Sequence, residues 1–273
     1  MRQASAGRSS WSVFISRHYP EEIDTMPSTV KVDFYKSSPK DANLESFKGL
    51  VSHALPGLHA NILDALRRCG HLENPGSLKV VDLGAGQGAL SARFAECGCR
   101  VLACDYVSEN FAASEFGIEF RCLDLNQDFA DLLGAGSADI VSAVEIIEHI
   151  ENPRHLLREC RKLLRPGGVL VLTTPNIDSS RSKTDFMAEG IFHMFRDSSY
   201  RSSGHITPIG AWQLDKMAEE ARLRTEQHTT FGNESYTFRE RPKAFLLQSF
   251  IERFGRRYPW GDGAIHVLLL SPY

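Results

Sequence analysis

The chain has 273 residues, with 42% apolar and 24% charged side chains, close to the globular average and sufficient for a sizeable core. Its net charge is −3, from 31 basic and 34 acidic residues, which excludes a strongly cationic nucleic-acid-packaging protein but not a local basic patch. No run approaches the roughly 18 apolar residues that a membrane span needs. The six cysteines form no CxxC pair and read as free thiols of a reducing compartment. The expected location is cytoplasmic.

Residues 1–25 carry Arg2, Arg8 and Arg17 among many serines. Such a start reads as a disordered tail or an upstream start codon, with an organellar transit peptide as the alternative. Residues 26–77 are expected to form an N-terminal helical cap, helical over 43–70, with Leu58, Ile62, Leu66 and Cys69 on one face and Gly70 closing it. Asn74-Pro75-Gly76-Ser77 breaks it. Leu78–Leu83 is an apolar strand, 84–88 a glycine loop and Ala89–Cys97 a helix. Strands follow at Arg100–Cys104, Glu119–Leu123 and Asp139–Val144. Asn152-Pro153 is an N-cap with proline at the first helical position, and Leu156, Leu157, Cys160, Leu163 and Leu164 form one apolar face. Residues 165–168 end that helix, and Val169–Thr173 is the next strand.

Strands alternating with helices predict a doubly wound α/β sheet whose ligand sits at the carboxyl ends of the strands. Residues 177–206, rich in Ser, Arg and Phe without a steady period, read as a lid. A helix from Thr207 to Ala221, a strand over Thr225–Phe231, a basic helix over 239–257 and a strand over Ala264–Leu270 complete the chain. The domain proper is thus expected over 78–273.

Asp82-Leu83-Gly84-Ala85-Gly86-Gln87-Gly88 lies between a strand and a helix, where glycines let a ligand approach main-chain NH groups. Gly84, Gly86 and Ala89 also satisfy the dinucleotide pattern, and Asp105 lies at a distance suited to the ribose hydroxyls of either cofactor. Asp82 before the first glycine, a second acid (Asp124) closing the third strand, and a late strand pair favour S-adenosylmethionine over NAD.

With these residues in place, the chain resembles the class I S-adenosylmethionine-dependent methyltransferases. VVDLGAGQG matches their first motif, ACD their ribose acid and RCLDL their adenine-side acid, while residues 138–176 and GHITPIGAWQLDKMAEEARL resemble later segments. The resemblance implies a Rossmann-like seven-stranded sheet of order 3-2-1-4-5-7-6, the seventh strand antiparallel. It implies cofactor contacts from Asp82, Gly84, Ala85, Gly86, Gly88, Asp105, Tyr106, Asp124, Leu125 and Val144.

Methyl transfer to a hydroxyl needs alignment, exclusion of water and a base. Glu145, Glu148 and His149 follow the fourth strand at i, i+3 and i+4, on one face if helical. This group is similar to one in ubiquinone-pathway O-methyltransferases and small-RNA 2′-O-methyltransferases, where it helps hold a divalent ion. His205, in GHITP, is the candidate fourth ligand, and the set suits Mg²⁺, Mn²⁺ or Zn²⁺. A structural or direct-base role for Glu148, His149 and His205 is the reading weighed ahead of the metal. Phe186, Phe192, His193, Phe195 and Tyr200 are candidates to cover the sulfonium, or simply to pack the lid. Arg181, Arg196 and Arg201 are candidates for an anionic substrate, or are solvated. The basic helix has nucleic acid or an anionic membrane as candidate partners, or is a solvated face.

The expected activity is O-methylation of a small-molecule acceptor. The lid stretch also looks like that of cell-surface-saccharide methyltransferases, so a sugar or a quinone precursor is the first substrate class. The rivals are an RNA 2′-O-methyltransferase, disfavoured by the net charge, an NAD-dependent oxidoreductase, and a non-catalytic cofactor-binding protein. Oligomeric state is not legible.

Overall fold

The computed structural model describes residues 44–255 and 258–273. The expected tail at 1–25 and the first part of the cap lie outside the described residues.

Where a helix was expected from 43, a two-stranded antiparallel hairpin stands, β1 (Ser46–Phe47) and β2 (Leu50–Val51). Lys48 and Gly49 between them both have positive φ, 51° and 86°, the twist that closes a two-residue hairpin. The helix is shorter, α1 (Leu58–Arg68), and buries Leu58, Ile62 and Leu66, whereas Cys69 is exposed. Gly70 ends it as expected. Its N–H donates to Arg67 O (3.0 Å) and that of His71 to Leu66 O (2.8 Å), a Schellman closure with Gly70 left-handed at φ 80°.

Seven strands form the main sheet: β3 (Lys79–Leu83), β4 (Arg100–Asp105), β5 (Glu119–Cys122), β6 (Ala138–Val144), β7 (Leu164–Pro175), β8 (Leu223–Phe231) and β9 (Ile265–Pro272). Their order is β5-β4-β3-β6-β7-β9-β8, which is 3-2-1-4-5-7-6 counted within the sheet. The last strand, β9, pairs antiparallel with both neighbours, and the central pairs are parallel. The α/β doubly wound expectation therefore holds in order and direction.

Strand β7 starts immediately after its helix, earlier than expected, and slips register against β6 between Ala138 and Ile140. Gly168 makes this possible, because a Cβ there would lie 2.8 Å from Ala138 O. Two apolar clusters cover the sheet. One contains Val81, Leu83, Leu156, Leu157, Leu163 and Leu170; the other contains α1, Val80, Phe94, Val171 and Leu269. Helices α2 (Ala89–Glu96), α3 (Ala130–Leu133) and α4 (Pro153–Leu163) follow β3, β5 and β6. Asn152 caps α4 as expected, its side chain accepting from His155 N.

The stretch 177–206 is not irregular throughout, since it holds α5 (Ser180–Glu189) and α6 (Asp197–Ser203). Helix α7 spans Ala211–Glu220 and begins later than Thr207. Helix α8 spans Pro242–Phe254, with Pro242 at its first position, where its missing N–H is not needed. No helix among the described residues is long and apolar enough to cross a membrane. Cys99, Cys104 and Cys160 are buried, while Cys69 and Cys122 are exposed, so the cysteines are not uniformly core thiols.

His59 and His266 are buried and His228 is half-buried. Burial lowers His59 and His228 to about 4 and His266 to about 3, from an ordinary 6.5. The unfolded chain takes up these protons near pH 6.5 and the folded chain resists them. Stability is therefore complete above 6.5 and lost as pH falls through that value toward 4, by up to about 1.4 kcal/mol per pH unit for each proton. A urea midpoint that falls between neutral and mildly acidic buffer is the expected result; a constant midpoint would contradict it.

Candidate active site

All parallel strands of the sheet end on one edge, which gathers the loops after Leu83, Asp105, Cys122, Val144 and Pro175. Gly84, Gly86 and Gly88 all have positive φ (73°, 54° and 90°). Their surroundings differ. A Cβ at Gly84 would lie 2.7 Å from Ile146 Cδ1, and one at Gly88 would lie 2.5 Å from Ala113 Cβ. At Gly86 nothing stands within 4 Å. Two glycines thus close the loop against the protein, and the middle one has open space on that side.

The loop is tied down by hydrogen bonds. Gly84 N and Ala85 N both donate to Cys104 O, at 2.8 and 3.0 Å. Gln87 Oε1 accepts from Val51 N at 2.8 Å, which fastens the hairpin to the loop. Asp105 Oδ2 accepts from Gly86 N (2.8 Å), and Oδ1 accepts from Val107 N (3.0 Å). Asp105 is half-buried at the end of β4. Tyr106 is 69% exposed beside it. Asp124 Oδ1 accepts from Asn126 N at 2.9 Å, Leu125 is buried, and Val144 is half-buried at the end of β6.

Asp82 stands apart from the other expected cofactor residues. It is buried, and its two oxygens are taken by the hydroxyls of Ser91 and Ser142. Burial lifts its carboxyl to about 6 despite those bonds. It joins β3, β6 and α2 beneath the loop.

At the end of β6 the expected helix is absent. Glu145 is left-handed (φ 52°), and a single 3-10 turn follows over Ile147–His149. Glu145, Glu148 and His149 therefore do not share a helix face. Thr173 Oγ1 accepts from Glu145 N (2.9 Å) and donates to Glu145 Oε1 (2.8 Å). Burial raises Glu145 to about 7.

Glu148, His149 and His205 do come together, each offering one ligand atom within 4.8 Å of the others. Glu145, the remaining member of the expected ligand set, does not join the other three and is held by Thr173 instead. Glu148 is fully buried; its Oε2 accepts from Thr174 Oγ1 at 3.0 Å, and its Oε1 has no hydrogen-bond partner. His149 Nε2 lies 3.8 Å and His205 Nε2 3.9 Å from that oxygen. His205 Nδ1 donates to Met194 O at 2.9 Å, so its Nε2 carries a lone pair.

Burial, and after it His205, lower His149 to about 4, and burial lowers His205 as well. Burial, then the Glu145 charge, raise Glu148 well above the carboxylate range. Glu148 Oε1, without a hydrogen-bond partner, thus faces the Nε2 atoms of two neutral imidazoles in a buried site. Such an arrangement fits a cation.

The segment after the lid helices closes this group. Ile206 N and Thr207 N donate to Glu148 O at 3.3 and 3.0 Å. Phe195 lies 5.8 Å from the His205 ring, while Phe186 and Phe192 stack on each other at 4.6 Å. Tyr200 is 41% exposed.

Arg181 and Arg196, expected to meet an anionic substrate, pair instead with buried Asp185 at 3.5 and 3.2 Å, and Arg196 also with Glu189. Asp185 further accepts from Tyr236 Oη and faces His193 Nδ1 at 3.0 Å. His193 belongs to that network, bonding Glu234 with its other nitrogen. Arg201 lies in the last turn of α6.

Thr173 and Thr174, which aim the two glutamates, were not among the residues expected from sequence. Their signal was a pair of hydroxyls closing an otherwise apolar buried strand.

Residues 54–228 match the sequence profile of the methyltransferase domain family, and the chain belongs to it: it is a class I S-adenosylmethionine-dependent methyltransferase. The ubiquinone biosynthesis O-methyltransferase of Caulobacter sp. is 30% identical over 184 residues, covering 64% of this chain and 69% of that protein. The protein of the same name from Caulobacter vibrioides is 31% identical over 184 residues, with the same coverage. Among solved structures, magnesium protoporphyrin IX methyltransferase from Synechocystis, with bound S-adenosylhomocysteine, superposes with TM-score 0.54 at 14% identity, over 80% of this chain and 84% of that one. A methyltransferase from Archaeoglobus fulgidus gives 0.52 at 16% identity, over 78% and 94%. These two share the fold. Family membership replaces the NAD-dependent and non-catalytic alternatives with a methyl-transferring enzyme.

Proposed function

We propose that the chain transfers the methyl group of S-adenosylmethionine to a hydroxyl of a small-molecule acceptor carrying neighbouring oxygens, such as a catechol-type quinone precursor. The observation that carries this reading is the unpartnered Glu148 Oε1 facing two imidazole nitrogens at 3.8 and 3.9 Å. The names of the 30% identical relatives support the same reaction class.

In this reading Gly84, Ala85, Gly86 and Gly88 form the open loop around the methionine part of the cofactor. Asp105 accepts from the ribose hydroxyls with its remaining lone pairs. Asp124 and Leu125 flank the adenine, Tyr106 covers it, and Val144 supports it. Asp82 holds the loop from beneath. S-adenosylmethionine supplies the methyl as a sulfonium substituent, so positive charge disappears during transfer and the protein mainly aligns and excludes water.

Glu148, His149 and His205 are the residues that would hold a divalent ion. Such an ion lowers the pKa of a hydroxyl bound to it. An imidazole of His149 or His205 that does not ligate the ion takes the acceptor proton, since burial keeps it neutral with a free lone pair. Thr174 orients Glu148, and the Met194 carbonyl orients His205.

Incubation with S-adenosylmethionine and a soluble catechol, followed by mass spectrometry, should give a mono-O-methyl product. EDTA should abolish turnover, and Mg²⁺, Mn²⁺ or Zn²⁺ should restore it. Methyl placed on nitrogen or carbon would refute the acceptor class, and full activity in EDTA would refute the ion. Transfer to RNA with a steep salt dependence would favour the ribose 2′-hydroxyl instead.

A further inference from the structure

Helix α8 packs on α5 with one face, and among the described residues nothing covers the other. Its inward side carries Gln248, which is buried and accepts from Tyr236 N with Oε1 at 3.0 Å. Glu252 lies on that side too, accepting from Ser180 Oγ at 3.2 Å and Gln248 Nε2 at 2.9 Å. At 3.6 residues per turn, Lys243, Leu246, Phe250, Arg253 and Phe254 fall within about 100° of arc on the opposite side. All five are exposed, with Leu246 at 59%, Phe250 at 61% and Phe254 at 72%. Phe250 and Phe254 rest on each other at 5.0 Å. Phe238, 61% exposed, stands edge-on to Phe245 just before the helix.

Three large apolar side chains in one stripe on a surface helix are not ordinary solvent decoration. Their charged neighbours indicate the occupant. The stripe is bordered by Lys243 and Arg253, with Arg239 exposed beside Phe238. The nearby acids are turned to other partners: Glu252 to Ser180 and Gln248, and Glu240 to Thr237 Oγ1 at 2.8 Å. An apolar stripe edged by cations fits the boundary between headgroups and acyl chains of an anionic bilayer. It does not fit a second copy of itself, since a two-fold pairing would bring the cations of both copies into one contact with no acid on the face to offset them.

We propose that the outer face of α8 is a peripheral membrane-docking surface, in which Leu246, Phe250 and Phe254 enter the interface of an anionic lipid bilayer and Lys243 and Arg253 meet its headgroups. The proposal stands independently of the acceptor assigned above.

Flotation of the full chain with phosphatidylcholine vesicles, with and without phosphatidylglycerol, tests it. Binding should appear with the anionic vesicles and weaken as salt rises. Leu246→Ser, Phe250→Ser and Phe254→Ser should each lower the partition coefficient by about tenfold. Lys243→Glu and Arg253→Glu should each lower it by at least about fivefold. All five positions are exposed, and S-adenosylhomocysteine affinity should be unchanged in every variant, which separates lost docking from lost folding. No binding to either vesicle, or binding indifferent to these substitutions, overturns the proposal. So does a stable dimer that Phe250→Ser dissociates in the absence of lipid.

Discussion

Asp105→Ala is expected to weaken S-adenosylhomocysteine binding by about 10²–10³-fold, measured by calorimetry. The carboxylate ends β4 and already holds two backbone donors, Gly86 N at 2.8 Å and Val107 N at 3.0 Å. It therefore fixes the open glycine of the loop and, with its remaining lone pairs, faces the position proposed for the ribose. Two charge-assisted bonds to ribose hydroxyls, at about 1.5–2 kcal/mol each, account for the expected loss. Asp105→Asn keeps one acceptor oxygen and should fall between wild type and alanine. The thermal midpoint of the ligand-free protein should move little, because the released N–H groups lie in a half-buried loop that water can reach. Unchanged affinity in the alanine variant would mean that the ribose is held elsewhere.

The parts of the fold that could be read from sequence were those whose signal is local. Runs such as Val169–Leu172 and Ile265–Leu270 are buried on both faces, so continuous apolar sequence identified them as strands. Gly70 and Asn152-Pro153 end and begin helices through bonds to their immediate neighbours, and both were legible. The strand order came from resemblance to a family and from no spacing in the chain.

The misread elements take their stabilisation from a distance or from polar contacts. The hairpin at 46–51 is held through Gln87, in the glycine loop. The start of α7 is set by Asp178, whose Oδ2 accepts from Ala211 N at 2.8 Å, so nothing near residue 207 announces it. Helix α5 buries Ser180, Ser182, Thr184 and Asp185, a polar inner face that no hydrophobic period reveals. At the site, the ExxEH spacing suggested one helical face, but left-handed Glu145 turns the chain first. His205 reaches Glu148 only because residues 206 and 207 bond to the Glu148 carbonyl, a contact visible in the fold alone.

Glu148→Gln is expected to lower kcat by about 10²–10⁴-fold with S-adenosylhomocysteine affinity unchanged. Glutamine has the same shape, and its amide oxygen can still accept from Thr174 Oγ1, now 3.0 Å from Glu148 Oε2. The backbone carbonyl that holds Ile206 and Thr207 is untouched. The substitution thus replaces the unpartnered Oε1, and the charge the carboxyl would carry on a bound ion, by an amide while sparing the packing. If Glu148 served only to dock the lid, the amide would leave the rate nearly unchanged. If Glu148, His149 and His205 act as one unit, Glu148→Gln, His149→Ala and the double variant should all reach about the same residual rate, since groups that work together are not additive. Divalent-ion binding by calorimetry should fall in parallel with kcat. A Glu148→Gln enzyme that keeps its rate, or a double variant whose losses multiply, would separate these side chains and return the proton to a different base.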